Sequence, residues 1–286
     1  MPDKTPLETA EKGAPVKQPS RILVGIDGTF DGREIVQIAA RFAGPLRARL
    51  VGLFVEDENL HSLAGLPFAR EVSWAGVIRT LTSENVTREL QARAAAARRY
   101  VRRLAEEVDI DWAFETARGH PLATLAQAAG PEDIVVVCTQ SRGTAWDRDE
   151  VGRVVRVATR EVHADVLLVA QRAPAALSRR QTAAVAARAL TGPDRPLVAV
   201  DETGEAGGSC ARFAEELARR AGTPYRRLDA RGMTPGAVAQ AARRLRAGLI
   251  VIDASCSIIG HDQDAALIAD EAGSPILILG SARPEP

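Results

Sequence analysis

The chain has 286 residues, 37 basic and 37 acidic, and aromatic residues make up 4% of it. That length is enough for two proper cores, and zero net charge without a basic block excludes a nucleic-acid partner, which needs a concentrated positive surface. No apolar run approaches the roughly 20 residues of a membrane span, so no membrane association is expected. Residues 1–20 have no apolar core and do not read as a secretory signal. Their Pro, Lys and Glu content reads as a disordered tail, and a cytoplasmic protein is expected.

Ile22 to Ile26 is a short apolar run, a strand buried on both faces, and Asp27 closes it. Asp31 and Glu34 stand at capping-box spacing before Ile35, Ile38 and Phe42, which predicts a helix stopped by Gly44-Pro45. Leu50 to Val55 is the next strand, followed by Glu56, Asp57 and Glu58. These three acids have no fourth ligand nearby, so no metal is expected. Residues 59–76 are irregular and carry Leu66, Phe68, Val72 and Trp74. Either this segment folds back on the sheet, the favoured reading, or it presents an apolar surface to a partner.

A long helical pattern runs from Val77 to Val108, with Leu81, Val86, Leu90, Ala94, Ala97, Val101 and Leu104 on one face. Its opposite face holds Arg93, Arg98, Arg99, Arg102 and Arg103, which reads as solvated. Ile110 to Thr116 is a third strand, and Arg118-Gly119-His120-Pro121 turns into a helix from Leu122 to Ala129. Ile134 to Cys138 is the fourth strand. The loop Thr139-Gln140-Ser141-Arg142-Gly143 follows, then a helix marked by Val151, Val154, Val155, Ala158 and Val162, then a fifth strand from Val166 to Ala170. Ligands in open parallel sheets sit at the carboxyl ends of strands, so the loop at 139–153 is the candidate binding element.

Residues 171–195 shift to alanine, arginine and proline and read as a linker with a short helix from Ala175 to Leu190. Leu197 to Asp201 then repeats the opening strand with its closing aspartate. Gly204 to Gly208 precede Ser209 as a helix cap, with Phe213, Leu217 and Ala221 on the buried face. Leu249 to Ile252 repeats strand four and Ile276 to Leu279 repeats strand five, so the chain is an internal duplication. The second copy omits the long helix and the third strand, and its loop from Asp253 to Gly260 lacks paired glycines. Cys138, Cys210 and Cys256 form no CxxC pair and read as free, apolar thiols. His61, His120, His163 and His261 show no metal-ligand spacing.

The element order and the loop resemble the universal stress protein family, whose loop reads Gly-x-x-Gly, a spacer, then Gly-Ser or Gly-Thr, and in many members cradles ATP phosphates. Here Gln140 stands at the first glycine, Gly143 matches the second, Gly152 matches the third after a spacer one residue shorter, and Arg153 takes the hydroxyl position. The resemblance implies an α/β fold of two open parallel sheets of universal stress protein (adenine nucleotide α-hydrolase-like) type. The first is five-stranded in the order 3-2-1-4-5 and the second is shortened to about four strands. It divides the chain into a tail (1–20), a first domain (21–172), a linker (173–194) and a degenerate second domain (195–282).

By motif position the candidate ligand residues are Asp27, Val55, Gly119, Ser141, Arg142, Gly143, Gly152 and Arg153. Against binding, Gln140 adds a side chain where the backbone should be bare, and Asp147, Asp149 and Glu150 put carboxylates beside the anion site. A carboxylate about 5 Å from a phosphate repels it by roughly 3 kcal/mol at an effective dielectric near 20. Ser141 has no histidine or lysine placed to activate it, so no enzyme and no catalytic residue is expected. Two functions remain. One is a non-catalytic regulatory or interaction protein of the stress response with an unidentified protein partner and no cofactor; the other is a sensor that binds ATP or another small molecule through the first domain. The eroded loops favour the first. Family members commonly dimerise through the last strand, and the two copies here are apolar and free of proline, so an intramolecular pseudo-dimer is expected, with a homodimer as the other arrangement.

Overall fold

The computed structural model describes residues 19–26, 32–72, 76, 78–139, 148–169, 195–202 and 208–280. Residues 1–18 of the amino-terminal tail, Asp27, the loop from Gln140 to Asp147 and the linker helix expected at Ala175 to Leu190 lie outside them, whereas Ser20, counted with the tail, donates its N–H to Glu132 O (2.9 Å). In the first half, β1 (Arg21–Ile26), β2 (Arg49–Asp57), β5 (Trp112–Gly119), β6 (Asp133–Cys138) and β7 (Asp165–Val169) are parallel strands. Between them run α1 (Gly32–Leu46), α2 (Glu58–Ala64), α3 (Ser83–Val108), α4 (Pro121–Ala128) and α5 (Arg148–Arg156). A small ribbon, β3 (Arg70–Val72) with β4 (Ile78–Thr80), stands apart from the sheet. The second half contributes β8 (Leu197–Asp201), α6 (Ser209–Ala221), β9 (Tyr225–Asp229), α7 (Pro235–Arg244), β10 (Leu249–Asp253), α8 (Asp264–Ala272) and β11 (Ile276–Leu279). No helix among the described residues is long and apolar enough to cross a membrane.

The two expected parallel sheets are joined into one. One nine-stranded mixed sheet runs through the molecule in the order β5-β2-β1-β6-β7-β11-β10-β8-β9. The halves join where β7 meets β11 antiparallel, with Leu168 opposite Ile276, Leu167 opposite Leu277 and Val166 opposite Ile278. The cause lies in the strands themselves. The paired segments, Val166–Leu168 and Ile276–Ile278, are aliphatic, with no charge or proline to protect an edge, and every residue of both strands is buried.

The two copies can be aligned by their backbones. Thr139 N–H donates to Val169 O (3.0 Å) in the first half, and Ala254 N–H donates to Leu279 O (2.9 Å) in the second. Six residues before each acceptor stand His163 (φ 62°) and Gly273 (φ 65°), both left-handed. By these marks Leu167 and Leu277 are equivalent positions, and they face each other across the seam. A pseudo-twofold axis therefore passes through that pair. It brings α1 against α6 and α5 against α8, which are equivalent helices of the two copies.

Alternation along the strands sorts side chains into two cores, and each core crosses the seam. One holds Val135, Val137, Val166 and Leu168 with Ile250, Ile252, Ile276 and Ile278, under α4, α5, α7 and α8. The other holds Ile22, Val24, Leu167 and Val169 with Leu249, Val251, Leu277 and Leu279, under α1, α3 and α6. At the foot of β1 and β6 a buried Asp133 accepts from Arg21 Nε (2.8 Å) and Nη2 (2.6 Å) and from Gly130 N–H (2.6 Å).

Several boundaries differ from the sequence reading. Helix α1 continues through Pro45 to Leu46, because a proline in the last turn forfeits a single backbone bond, and Arg47 (φ 52°) follows it. Helix α3 begins at Ser83, where Thr82 Oγ1 accepts from Asn85 N–H (3.3 Å), while Ile78–Thr80 belong to the ribbon. Helix α6 begins at Ser209 itself, with Gly208 at the cap. The arginine face of α3 is solvated and laced with acids one turn away, Arg88 to Glu84, Arg93 to Glu89, Arg102 to Glu106 and Arg103 to Glu107. In segment 59–76, Trp74 lies outside the described residues. Helix α2 packs on β2 and α3 through buried Ala64, but the apolar residues expected to turn inward do not: Leu66, Phe68 and Val72 are exposed, Phe68 by 75%.

Leu277 has no exposed surface and sits at the seam, whereas Leu267 on α8 is 37% exposed. In urea unfolding Leu277→Ala should cost about 2–5 kcal/mol, and Leu267→Ala should stay within about 0.5 kcal/mol of the parent.

Candidate functional site

The strand order reverses between β1 and β6, whose following segments lead to opposite sides of the sheet. The crevice at their carboxyl ends is the place where such a sheet takes a ligand. Of the residues that sequence nominates for it, Asp27, Ser141, Arg142 and Gly143 lie outside the described residues. Val55 is buried in β2, opposite Ala117 of β5, and Gly119 ends β5 opposite Asp57. The acids beyond Val55 have structural duties. Glu56 lies 3.3 Å from Arg118 and 3.5 Å from His61. Asp57 caps α2 by accepting from Asn59 N–H (2.9 Å). Among the described residues no group of three His, Cys, Asp or Glu could hold a metal ion.

Gly152 and Arg153 sit on α5, and the structure gives the glycine a second neighbour. A methyl group at Gly152 would overlap the backbone carbonyl of Asp262, from the second half. Asp262 stands just before α8, which packs on α5, so this contact joins the two halves. One turn on, Arg156 Nη1 lies 3.1 Å from Asp262 Oδ1. At the other end of the loop, buried Thr139 donates its hydroxyl to Asp270 Oδ1 on α8 (2.9 Å). The second half thus holds both flanks of the first half's ligand loop. Beside these contacts lies a narrow cleft of about 80 Å³, lined in part by Val155, Arg156, Arg160, Ile259 and His261. It is well below the ~300–1,000 Å³ typical of small-molecule sites. Sequence reasoning missed Thr139, Arg156, Asp262 and Asp270, since no local spacing links residues so far apart.

In the second copy, side chains at the carboxyl ends of β8 and β10 bond to one another and to β9. Asp201, the strand-closing aspartate, is ion-paired with Arg227 of β9. Glu202 reaches the loop after β10 and accepts from Ser257 N–H (2.8 Å) and Ser257 Oγ–H (2.6 Å). Its carboxylate sits where backbone N–H groups of the short turn Ser257–Ile259 would otherwise face an anion. Burial opposes ionisation of Glu202 and is the largest single influence. The hydrogen bonds from Ser257, Cys256 and Ile258 together outweigh it and hold the carboxyl below its ordinary value.

All three cysteines are free and buried. Burial pushes the Cys210 and Cys256 thiols up to about 12, which leaves neither as a nucleophile near neutrality. Cys210 donates instead to Val251 O (3.4 Å).

Because the Glu202 carboxyl titrates lower in the folded chain than in the unfolded one, its contribution is complete above the unfolded carboxylate range. It is lost as pH falls through the folded value. Glu202→Gln should therefore lower stability by about 1 kcal/mol near neutral pH, partial exposure limiting the effect. The difference should shrink on acidification, as urea midpoints measured across pH will show.

No protein-family model and no curated protein matches the sequence. Solved structures do. A universal stress protein from Archaeoglobus fulgidus DSM 4304 superposes with a TM-score of 0.60 at 11% identity, over 93% of this chain and 100% of that one. A functionally unknown protein from Pseudomonas aeruginosa PAO1 superposes with a TM-score of 0.54 at 13% identity, over 93% of this chain and 94% of that one. Both likenesses run through the two halves and the seam, so the chain has the tandem universal stress protein fold, its second copy the shorter.

Proposed function

We propose that this protein is a non-catalytic regulatory or interaction protein of universal stress protein type, acting in the cytoplasm, in which ligand loops have been turned to holding the two copies together. The observation that carries this reading is Glu202. A carboxylate of the protein itself accepts the hydrogen bonds that the second loop could offer an anion. Gly152 supports it in the first half, because the glycine that the family resemblance assigns to phosphate is packed against Asp262. Burial raises the Cys210 and Cys256 thiols far above neutrality, which supports a non-catalytic reading. The balanced charge of the chain gives no surface for nucleic acid.

A second reading, a sensor of ATP or another small molecule in the first half, is favoured by the Thr139–Asp270 and Arg156–Asp262 contacts. A ligand seated between such tethers would move the second half, and a differential affinity for the two arrangements is what sensing requires.

Calorimetry separates the two. With the unmodified chain, ATP should bind not at all or with a Kd weaker than about 100 µM, which is about 5.5 kcal/mol. Gln140→Gly with Arg153→Ser should strengthen binding if the loop is merely eroded. Tight binding by the unmodified chain would overturn the interaction reading in favour of the sensor.

A further inference from the structure

Exposed apolar side chains are concentrated in one excursion of the first half. Among the described residues eight large hydrophobics are exposed, and six of them fall between positions 60 and 78: Leu60, Leu63, Leu66, Phe68, Val72 and Ile78. Phe68 is 75% exposed, Val72 66% and Ile78 58%, far more than Leu245 and Leu267 elsewhere, at 38% and 37%. The excursion is not loosely hung. Asp57 caps α2, Ala64 and Ala69 are buried against the body, and Leu81 N–H donates to Ala69 O (3.0 Å) to extend the ribbon.

The ribbon itself is incomplete. Register places Val72 opposite Ile78 and Glu71 opposite Arg79, so alternation puts the apolar pair on one face and the ion-forming pair on the other. The ribbon pairs with no third strand among the described residues. A two-stranded ribbon is marginal in water unless its apolar face is covered.

We propose that this face, α2 with the β3–β4 ribbon, docks on the same face of a second copy of the chain. Area is the first argument. The six side chains expose roughly 500–600 Å², and two copies face to face would bury about twice that, which reaches the ~1,000–1,200 Å² of a specific interface. Charge is the second. The ribbon carries charges of both signs, Arg70 on the apolar face and Glu71 with Arg79 on the other, and the chain carries no net charge, so no overall repulsion opposes association. The third argument is elimination. The strands through which two copies would otherwise join are consumed by the internal seam. The outer strands of the sheet, β5 and β9, carry Glu115, Arg118, Arg226 and Arg227, which guard their edges. This proposal is independent of whether a nucleotide binds.

Sedimentation velocity on the full chain, from about 1 to 100 µM, tests it. The expected result is a species of twice the 30.5 kDa chain mass. Phe68→Glu with Val72→Glu should weaken that dimer by more than about tenfold while leaving circular dichroism unchanged, and Leu245→Glu should leave it intact. A parent chain that stays monomeric throughout would overturn the proposal, as would a dimer that survives the double substitution. Hydrogen exchange on the unmodified chain gives a check that needs no variant. Residues 58–80 should gain protection between dilute and concentrated samples. No gain, or protection that is the same at every concentration, which would mean that another segment of the same chain covers the patch, counts against it. So does recovery of the chain as a stoichiometric complex with a different protein seated on these residues.

Discussion

Two aliphatic strand edges have to be covered, and they cover each other. Backbone N–H and C=O groups along β7 and β11 would otherwise template association with any other chain, and neither strand has a lysine, proline or bulge to prevent it. Pairing them antiparallel turns the second half over relative to the first and joins two parallel sheets into one mixed sheet. Because side chains alternate, the same pairing aligns the apolar faces, so both cores continue across the seam, one under α4, α5, α7 and α8 and the other under α1, α3 and α6. Fully burying a side chain such as Leu167 or Leu277 is worth about 1.5–3 kcal/mol, which is a large share of an ordinary margin of stability.

Packing across the seam also sets individual residues. Gly152 leaves the space that the backbone carbonyl of Asp262 takes. Arg156 then finds an acid within 3.1 Å, and Thr139 finds Asp270 on the facing helix. A loop built to admit a phosphate needs bare backbone and a vacant anion position. On the proposed reading, packing at Gly152 limits the first in one copy, and the Glu202 carboxylate occupies the second in the other. Ligand capacity and inter-copy packing would then draw on the same few residues, and that shared use is what the proposal rests on.

Much of the fold was legible because it rests on local signals. Runs such as Val135–Val137 and Leu249–Ile252 can only be doubly buried strands. The repeat of an aspartate after Ile26 and after Val200 marks the duplication, and the missing third strand shows as a short connection after Leu228. The seam was legible for the same reason, since two aliphatic strands without guards predict their own pairing. The excursion was not. Nothing local separates Ile78 from the apolar face of α3, and only the Thr82 cap and the partner strand Arg70–Val72 make it ribbon. Burial was misjudged there because a cluster of Leu66, Phe68 and Val72 looks the same in sequence whether it packs inward or waits for a partner. The seam contacts of the candidate site join residues more than a hundred positions apart, where spacing carries no signal.

The central claim is that the β7–β11 pairing makes the two copies one folded body. Native-state hydrogen exchange at the amides of residues 166–168 and 276–278 tests it most directly. The account predicts that these amides are among the slowest in the chain and that they exchange together with those of β6 and β10, in a single global opening. Exchange of β7 and β11 as frayed edges, ahead of the strands beside them, would contradict it, as would separate opening of the two halves at different denaturant concentrations.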